Sequence, residues 1–409
     1  MPPPRPDRPL DLVVYGATSF VGKLLTAHLV HRHGSDGPLR WAIAGRSAEK
    51  LDRVAQTIRT DVERIVADAA DVDALAAMTA RTKVVVSTVG PYALYGSELV
   101  AAAVAAGTDY CDLTGEPQWM RRMIDAHQAA AEASGARIVH ACGFDSIPSD
   151  LGVWFTQQQA LEALGEPCQR IGMRVTSMRG GASGGTLASM VNVLEEVARD
   201  PELRTMLSDP YALAPAGSRP GVVQPEVTRP QVDSLSGQWV APFVMAMVNS
   251  KVVHRSHALL GHPWGEGFRY DEAMAMGSGP LGAVKATGLA AGLAAGMGVA
   301  AVGPARAALG RVMPKPGTGP SPKAQAAGSF TIRFHGRTAD DRSIETEVTG
   351  DRDPGYGSTA KMLGEAAVAL VELEAGAVGG GFHTPASALD DDLVARLRAE
   401  AGITFSVRD

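Results

Sequence analysis

LDLVVYGATSFVG, residues 10–22, opens with the apolar run Leu12-Val13-Val14-Tyr15, closes it with Gly16, and continues with Val21, Leu24 and Leu25 at helical spacing. That order reads as a buried strand, a tight turn and a helix start. Gly16 and Gly22 fall at the first and last positions of a dinucleotide-binding fingerprint, where a missing side chain permits a sharp turn and close helix–strand packing. Ser19 stands at the middle position, which normally brings the backbone up to a pyrophosphate. Its hydroxyl and N–H still offer donors, beside the free N–H groups and dipole of the helix start. The contacts expected here are Gly16, Thr18, Ser19, Phe20, Val21 and Gly22. Taken alone, the stretch also fits a strand–turn–helix with no ligand.

Apolar runs and helical stretches alternate from there to residue 150. A second strand, Trp41 to Ala44, ends at Gly45-Arg46-Ser47, with Ser47 placed to cap a helix running to about residue 60. In such folds the end of this strand faces the adenosine ribose, where an acid selects NAD; Arg46 there favours the extra phosphate of NADP, although a loop arginine is also a common surface residue. A third strand ends at Asp68. A fourth, Lys83 to Thr88, ends in Val89-Gly90-Pro91-Tyr92, at a strand edge where ligands lie in open α/β sheets. Arg46, Ser47, Asp68, Thr88, Val89, Gly90 and Pro91 complete the expected cofactor contacts. Valine-rich strands that alternate with helices indicate a parallel sheet covered on both faces.

The chain has 409 residues, 45% of them apolar and 20% charged, enough for two domains with buried cores. Its net charge of −6 gives no indication of nucleic acid as a partner. Cys111, Cys142 and Cys168 are widely spaced, which suggests neither a disulfide framework nor a zinc site, and no metal is expected. MPPPRPDRPL at the start lacks an apolar core and reads as a loose tail rather than a secretory signal, so a cytoplasmic location is expected.

After a fifth strand at Asp109 to Leu113 and a sixth at Arg137 to His140, Phe144-Asp145-Ser146 lies at the carboxyl edge of the sheet. Asp145 and Ser146 either contact substrate and nicotinamide or satisfy backbone groups at the turn. Tyr92 and Tyr95 are candidate proton donors, although each fits more readily a packed phenol with its hydroxyl bonded, and Glu116 is a candidate acid or a first-turn helix charge. Past Gly152 the alternation breaks down. Arg179 precedes a glycine cluster in which Gly184, Gly185 and Thr186 either let backbone approach a substrate or form a flexible loop, with Arg179 holding an anion or simply solvated. Residues 249–257 alternate in strand fashion, and their histidines are expected to be exposed or internally satisfied. Residues 281–303 are almost wholly Ala, Gly, Val, Leu and Met around Lys285, with a Gly288, Gly292, Gly296 ridge. They fit peripheral contact with lipid, a dimer contact or a packed soluble helix better than a membrane span. A Pro/Gly-rich linker is expected at 313–323 and a hairpin and helices at the end.

Several strings together resemble a known family: GATSFVG, AGR at 44–46, VGPY at 89–92, DLTGE at 112–116, CGFDSIPSDLG at 142–152, SGGT at 183–186, VVHRSHAL at 252–259, KMLGEAA at 361–367 and GGFHTP at 380–385. They are similar to the saccharopine dehydrogenase-like oxidoreductases and, within them, to the trans-acting enoyl reductase group. The first turn of that family usually carries glycine where Ser19 stands. The resemblance implies an α/β protein: a Rossmann-type parallel sheet over 1–150, an α+β substrate or dimerisation domain over 151–355, and C-terminal helices over 356–409 returning to the nucleotide domain. It further implies NAD(P)H-linked hydride transfer, with a polyketide synthase as partner and a carrier-bound or lipid-like acyl chain as substrate. Catalytic roles are then expected of Tyr92, Asp145 and Ser146. Two alternatives stay open: amino-acid dehydrogenation, with Arg179, Arg255 and Lys361 available for substrate carboxylates, and a cofactor-binding protein without turnover at a lipid surface.

Overall fold

A computed structural model describes residues 7–180, 189, 192–193, 195–197, 199–301, 319–374 and 376–408. The amino-terminal strands are β1 (Leu10–Tyr15), β2 (Trp41–Gly45), β3 (Glu63–Val66), β4 (Thr82–Ser87), β5 (Asp109–Asp112) and β6 (Arg137–Val139). β1, β2, β5 and β6 are buried along their whole length, as strands covered by helices on both faces must be. They pair in parallel in the order β6-β5-β4-β1-β2-β3, with the C-terminal strand Gly381–His383 added in parallel outside β6. β1 lies between β2 and β4, so the chain builds outward to β3 and then crosses back. That reversal opens a crevice at the carboxyl ends of β1 and β4, where such folds hold ligands.

Arg8 pins the segment expected to be a loose tail. Its guanidinium is buried and donates to the carbonyls of Thr79, Thr82 and Ala106, while residues 1–6 lie outside the described residues.

The second sheet comprises β7 (Arg170–Arg179), β8 (Gln231–Val232), β9 (Trp239–Pro242), β10 (Arg269–Gly277), β11 (Ser329–Arg337) and β12 (Ser343–Gly350). The C-terminal strand already placed beside β6 is β13, and β14 (Ile403–Arg408) returns to this second sheet, whose order is β14-β12-β11-β7-β10-β9-β8. Only β7 and β10 run parallel within it. Burial alternates residue by residue along β11 and β12, giving one packed and one wet face. The helix Ile147–Leu164 covers the packed face so closely that a Cβ on Gly152 would sit 2.1 Å from Phe334 Cζ. The string CGFDSIPSDLG therefore carries the chain from the edge of the first sheet onto the second.

Carboxy-terminal elements bind the two sheets together. The helix Thr359–Glu372 packs on the helix Phe20–His33, with His28 Nε2 and Glu365 Oε1 2.8 Å apart. Arg137, buried and paired with Asp109, also donates to the Leu370 carbonyl at 3.2 Å.

Residues 249–257 form part of the helix Ala246–Leu259, not the strand their alternation suggested. This helix is buried nearly all round, so its sequence carries no amphipathic stripe. Its polar groups find partners inside: Asn249 Nδ2 donates to Ser149 and Glu272, Ser256 Oγ to Asp150, and Arg255 to the carbonyls of Leu213 and Phe382. His254 is buried with both ring nitrogens unpartnered among the described residues, against the expectation of exposed or satisfied histidines, and burial lowers its pKa to about 3. Among the described residues no helix is long and apolar enough to cross a membrane. The linker expected at 313–323 falls mostly outside them and ends in the helix Pro322–Ala326.

Candidate active site

A cleft of about 810 Å³ opens at the carboxyl ends of β1, β2 and β4. Gly16 leaves β1 with φ of +84°, and a Cβ there would lie 2.5 Å from Val89 Cγ2 and 2.8 Å from Thr88 Oγ1. Only glycine lets the β1 turn pass this close to the end of β4. At Gly22 a Cβ would lie 2.2 Å from the Gly16 carbonyl oxygen, so this residue serves helix packing and not the cleft wall.

Ser19 does not fill the cleft with its hydroxyl. Its Oγ accepts from the Gly22 amide at 2.8 Å and lies 2.9 Å from Thr88 Oγ1, while its N–H donates to the Gly16 carbonyl. It thus caps the helix Phe20–His33. The amides of Thr18, Phe20 and Val21 have no acceptor among the described residues. Unused amides at a helix start, beside the tight turn that Gly16 permits, fit a pyrophosphate. Ser19→Ala is expected to lower stability by about 1 kcal/mol, read from urea unfolding, while changing affinity for reduced coenzyme less than about threefold.

At the end of β2, Arg46 and Lys50 both line the cleft, exposed and without an ion-pair or side-chain hydrogen-bond partner among the described residues. Lys50 is a further cation that the sequence pattern did not single out, since it reads as an ordinary surface residue of the helix Ala48–Ile58. Asp68, Thr88, Val89 and Gly90 also line the cleft. Ser47 and Pro91 lie behind the wall, Ser47 accepting from the Lys50 amide at 3.4 Å and Pro91 preceding the short helix Tyr92–Tyr95.

The three residues expected to be catalytic separate. The Tyr92 ring lines the cleft, but its hydroxyl donates to the Ser87 carbonyl at 2.9 Å and accepts from the Leu113 amide, and burial pushes its pKa well up. Its proton is held in the sheet edge. Ser146 is fully buried, outside the cleft lining, and its Oγ donates to Asn249 Oδ1 at 3.0 Å. Asp145 alone of the three presents an unengaged polar group to the cleft. Its carboxyl has no hydrogen bond among the described residues, and a Cβ on Gly115 would lie 3.6 Å from its Oδ2. Burial raises its pKa to about 6. Glu116 is an amide clamp, its two oxygens accepting from Tyr92 N at 2.8 Å and Ala93 N at 2.9 Å.

Beyond Asp145 the wall turns apolar, with Leu94, Val193, Leu207, Val244, Met245 and Met247, beside Tyr95 and Glu98. In the sequence the 239–247 run shows only as apolar, because its neighbours in the cleft come from distant segments. Arg179 sits exposed at the end of β7 and outside the lining, and Gly184, Gly185 and Thr186 lie outside the described residues. Arg255 is buried on backbone carbonyls, and Lys361 donates to the Ala401 carbonyl at 3.2 Å. Among the described residues, the only lysine or arginine side chains lining the cleft are Arg46 and Lys50.

Residues 12–139 match the family model of the saccharopine dehydrogenase NADP binding domain. The whole chain is 43% identical over 416 residues to a Mycobacterium tuberculosis protein provisionally named a trans-acting enoyl reductase, covering 97% of each chain. It is 40% identical over 407 residues to the trans-acting enoyl reductase of Mycobacterium bovis, covering 96% of each. In fold it is similar to the saccharopine dehydrogenase (L-Glu forming) of Saccharomyces cerevisiae, with a TM-score of 0.55 at 11% identity over 98% of this chain and 100% of that one.

Proposed function

Since this chain belongs to the trans-acting enoyl reductase family and is an NAD(P)-dependent oxidoreductase with an NADP-binding domain, we propose that it prefers NADPH over NADH. We propose further that it saturates a carbon–carbon double bond of a carrier-bound acyl chain, as a separate partner of a polyketide synthase. NADPH, when bound, supplies the hydride. The amides of Thr18, Phe20 and Val21 hold the pyrophosphate, and Arg46 with Lys50 holds the 2′-phosphate. Leu94, Val244, Met245 and Met247 wall the acyl chain and exclude water. Asp145 holds the proton that the α-carbon needs, because a carboxyl raised to about 6 is partly protonated near neutrality. Rate comes chiefly from positioning.

One observation carries this reading: past the dinucleotide turn the cleft offers apolar walls and an unengaged carboxyl, and no basic side chain among the described residues. Dehydrogenation of an amino acid needs a cation for the substrate carboxylate, and Arg179, Arg255 and Lys361 are all elsewhere. The test follows NADPH absorbance after addition of an α,β-unsaturated acyl thioester or of an imino acid. Consumption with the thioester is the expected result. Consumption with the imino acid alone overturns the proposal, as does tight NADPH binding with no turnover of the thioester.

A further inference from the structure

The helix Gly279–Ala301 stands apart from everything the catalytic reading uses. Its first turns are anchored: Ala286 is fully buried, and a Cβ on Gly282 would meet the Gly277 carbonyl oxygen at 2.3 Å and Trp239 at 3.2 Å. On the other side of these same turns Leu281 and Val284 are 65% and 68% exposed. Farther along, Gly288, Gly292, Gly296 and Gly298 have no neighbouring atom within 4 Å of where a side chain would begin. Each glycine weakens a helix in water, and packing normally compensates. Here the described residues supply no such packing.

Charge indicates what covers it. Between β10 and β11, residues 278–328 contain five lysines and arginines and no aspartate or glutamate, in a chain of net charge −6. Lys285 sits exposed on the helix itself, near its anchored base. An apolar helix in a cationic, carboxylate-free stretch is complementary to an anionic lipid surface, where apolar burial and headgroup attraction act together. Since no described helix is long and apolar enough to cross a membrane, the helix would lie along the interface. We propose that the helix Gly279–Ala301 is a peripheral anchor that lies in the headgroup region of an anionic bilayer.

Co-sedimentation tests this with vesicles of phosphatidylcholine alone or mixed with phosphatidylglycerol. The full chain is expected to bind the mixed vesicles about tenfold more tightly, with the preference lost at high salt. The double variant Leu281→Asp, Val284→Asp is expected to lose about tenfold or more in vesicle affinity. Unchanged NADPH titration of that variant shows that it is folded. Equal binding to both vesicle types, or a folded double variant that binds like the parent, overturns the proposal. A dimer seen by light scattering, dissociated by the same substitutions in a chain that ignores vesicles, also overturns it and assigns the helix to a second copy.

Discussion

Asp145→Asn is expected to lower turnover of an unsaturated thioester by about 10²–10⁴-fold, the usual contribution of a positioned general acid, while NADPH affinity stays within about threefold. The amide keeps the shape of the carboxyl and cannot release a proton to carbon. The parent enzyme should lose activity as pH rises through about 6, because the donor must be protonated and burial sets its pKa there. In this window the rate should fall about tenfold per pH unit once the carboxyl is ionised. The variant's residual rate should be independent of pH over the same range. Steady-state rates from pH 5 upward, measured beside coenzyme titrations, check both. An Asp145→Asn enzyme with the parent's pH profile would place the proton elsewhere in the cleft.

Arg46→Ala is expected to weaken NADPH binding by about 10–100-fold, which corresponds to the loss of a charged hydrogen bond worth roughly 1.5–3 kcal/mol. NADH has no 2′-phosphate and should change little. Fluorescence titration of both reduced coenzymes reads the difference directly. Lys50→Ala should move affinities the same way by a smaller factor, since a lysine offers a point charge where arginine offers a planar fork. Both effects should shrink as salt is raised, because both side chains are exposed. Equal losses for NADPH and NADH after Arg46→Ala would remove the 2′-phosphate assignment.

Much of the cleft lining was legible because it is local. Gly16, Thr18, Ser19, Phe20 and Val21 lie within one turn, and strand–turn–helix geometry brings them to one crevice whatever surrounds them. Arg46 and Val89-Gly90 were legible for a related reason: the ends of parallel strands share an edge. What pattern alone misjudged was orientation. Ser19 offers a hydroxyl on paper, yet helix capping turns it inward; for Tyr92 the structure takes the packed alternative, its phenol bonded to the Ser87 carbonyl.

By itself the sequence determined the parallel sheet and the crevice after β1, because unbroken apolar strands and a glycine turn leave few other ways to bury backbone and side chains; the family showed there only as a resemblance carried by strings such as CGFDSIPSDLG. Tertiary structure alone decided which polar groups face the cleft. It also converted residues 249–257 from an alternating strand into a helix buried nearly all round, and it joined Asp145 to the apolar wall of 244–248. The physical reason is common to these cases. Once a segment is enclosed on every side, its periodicity no longer reports which side is wet, and its hydrogen-bond partners come from segments a hundred residues away, as with Ser146 and Asn249.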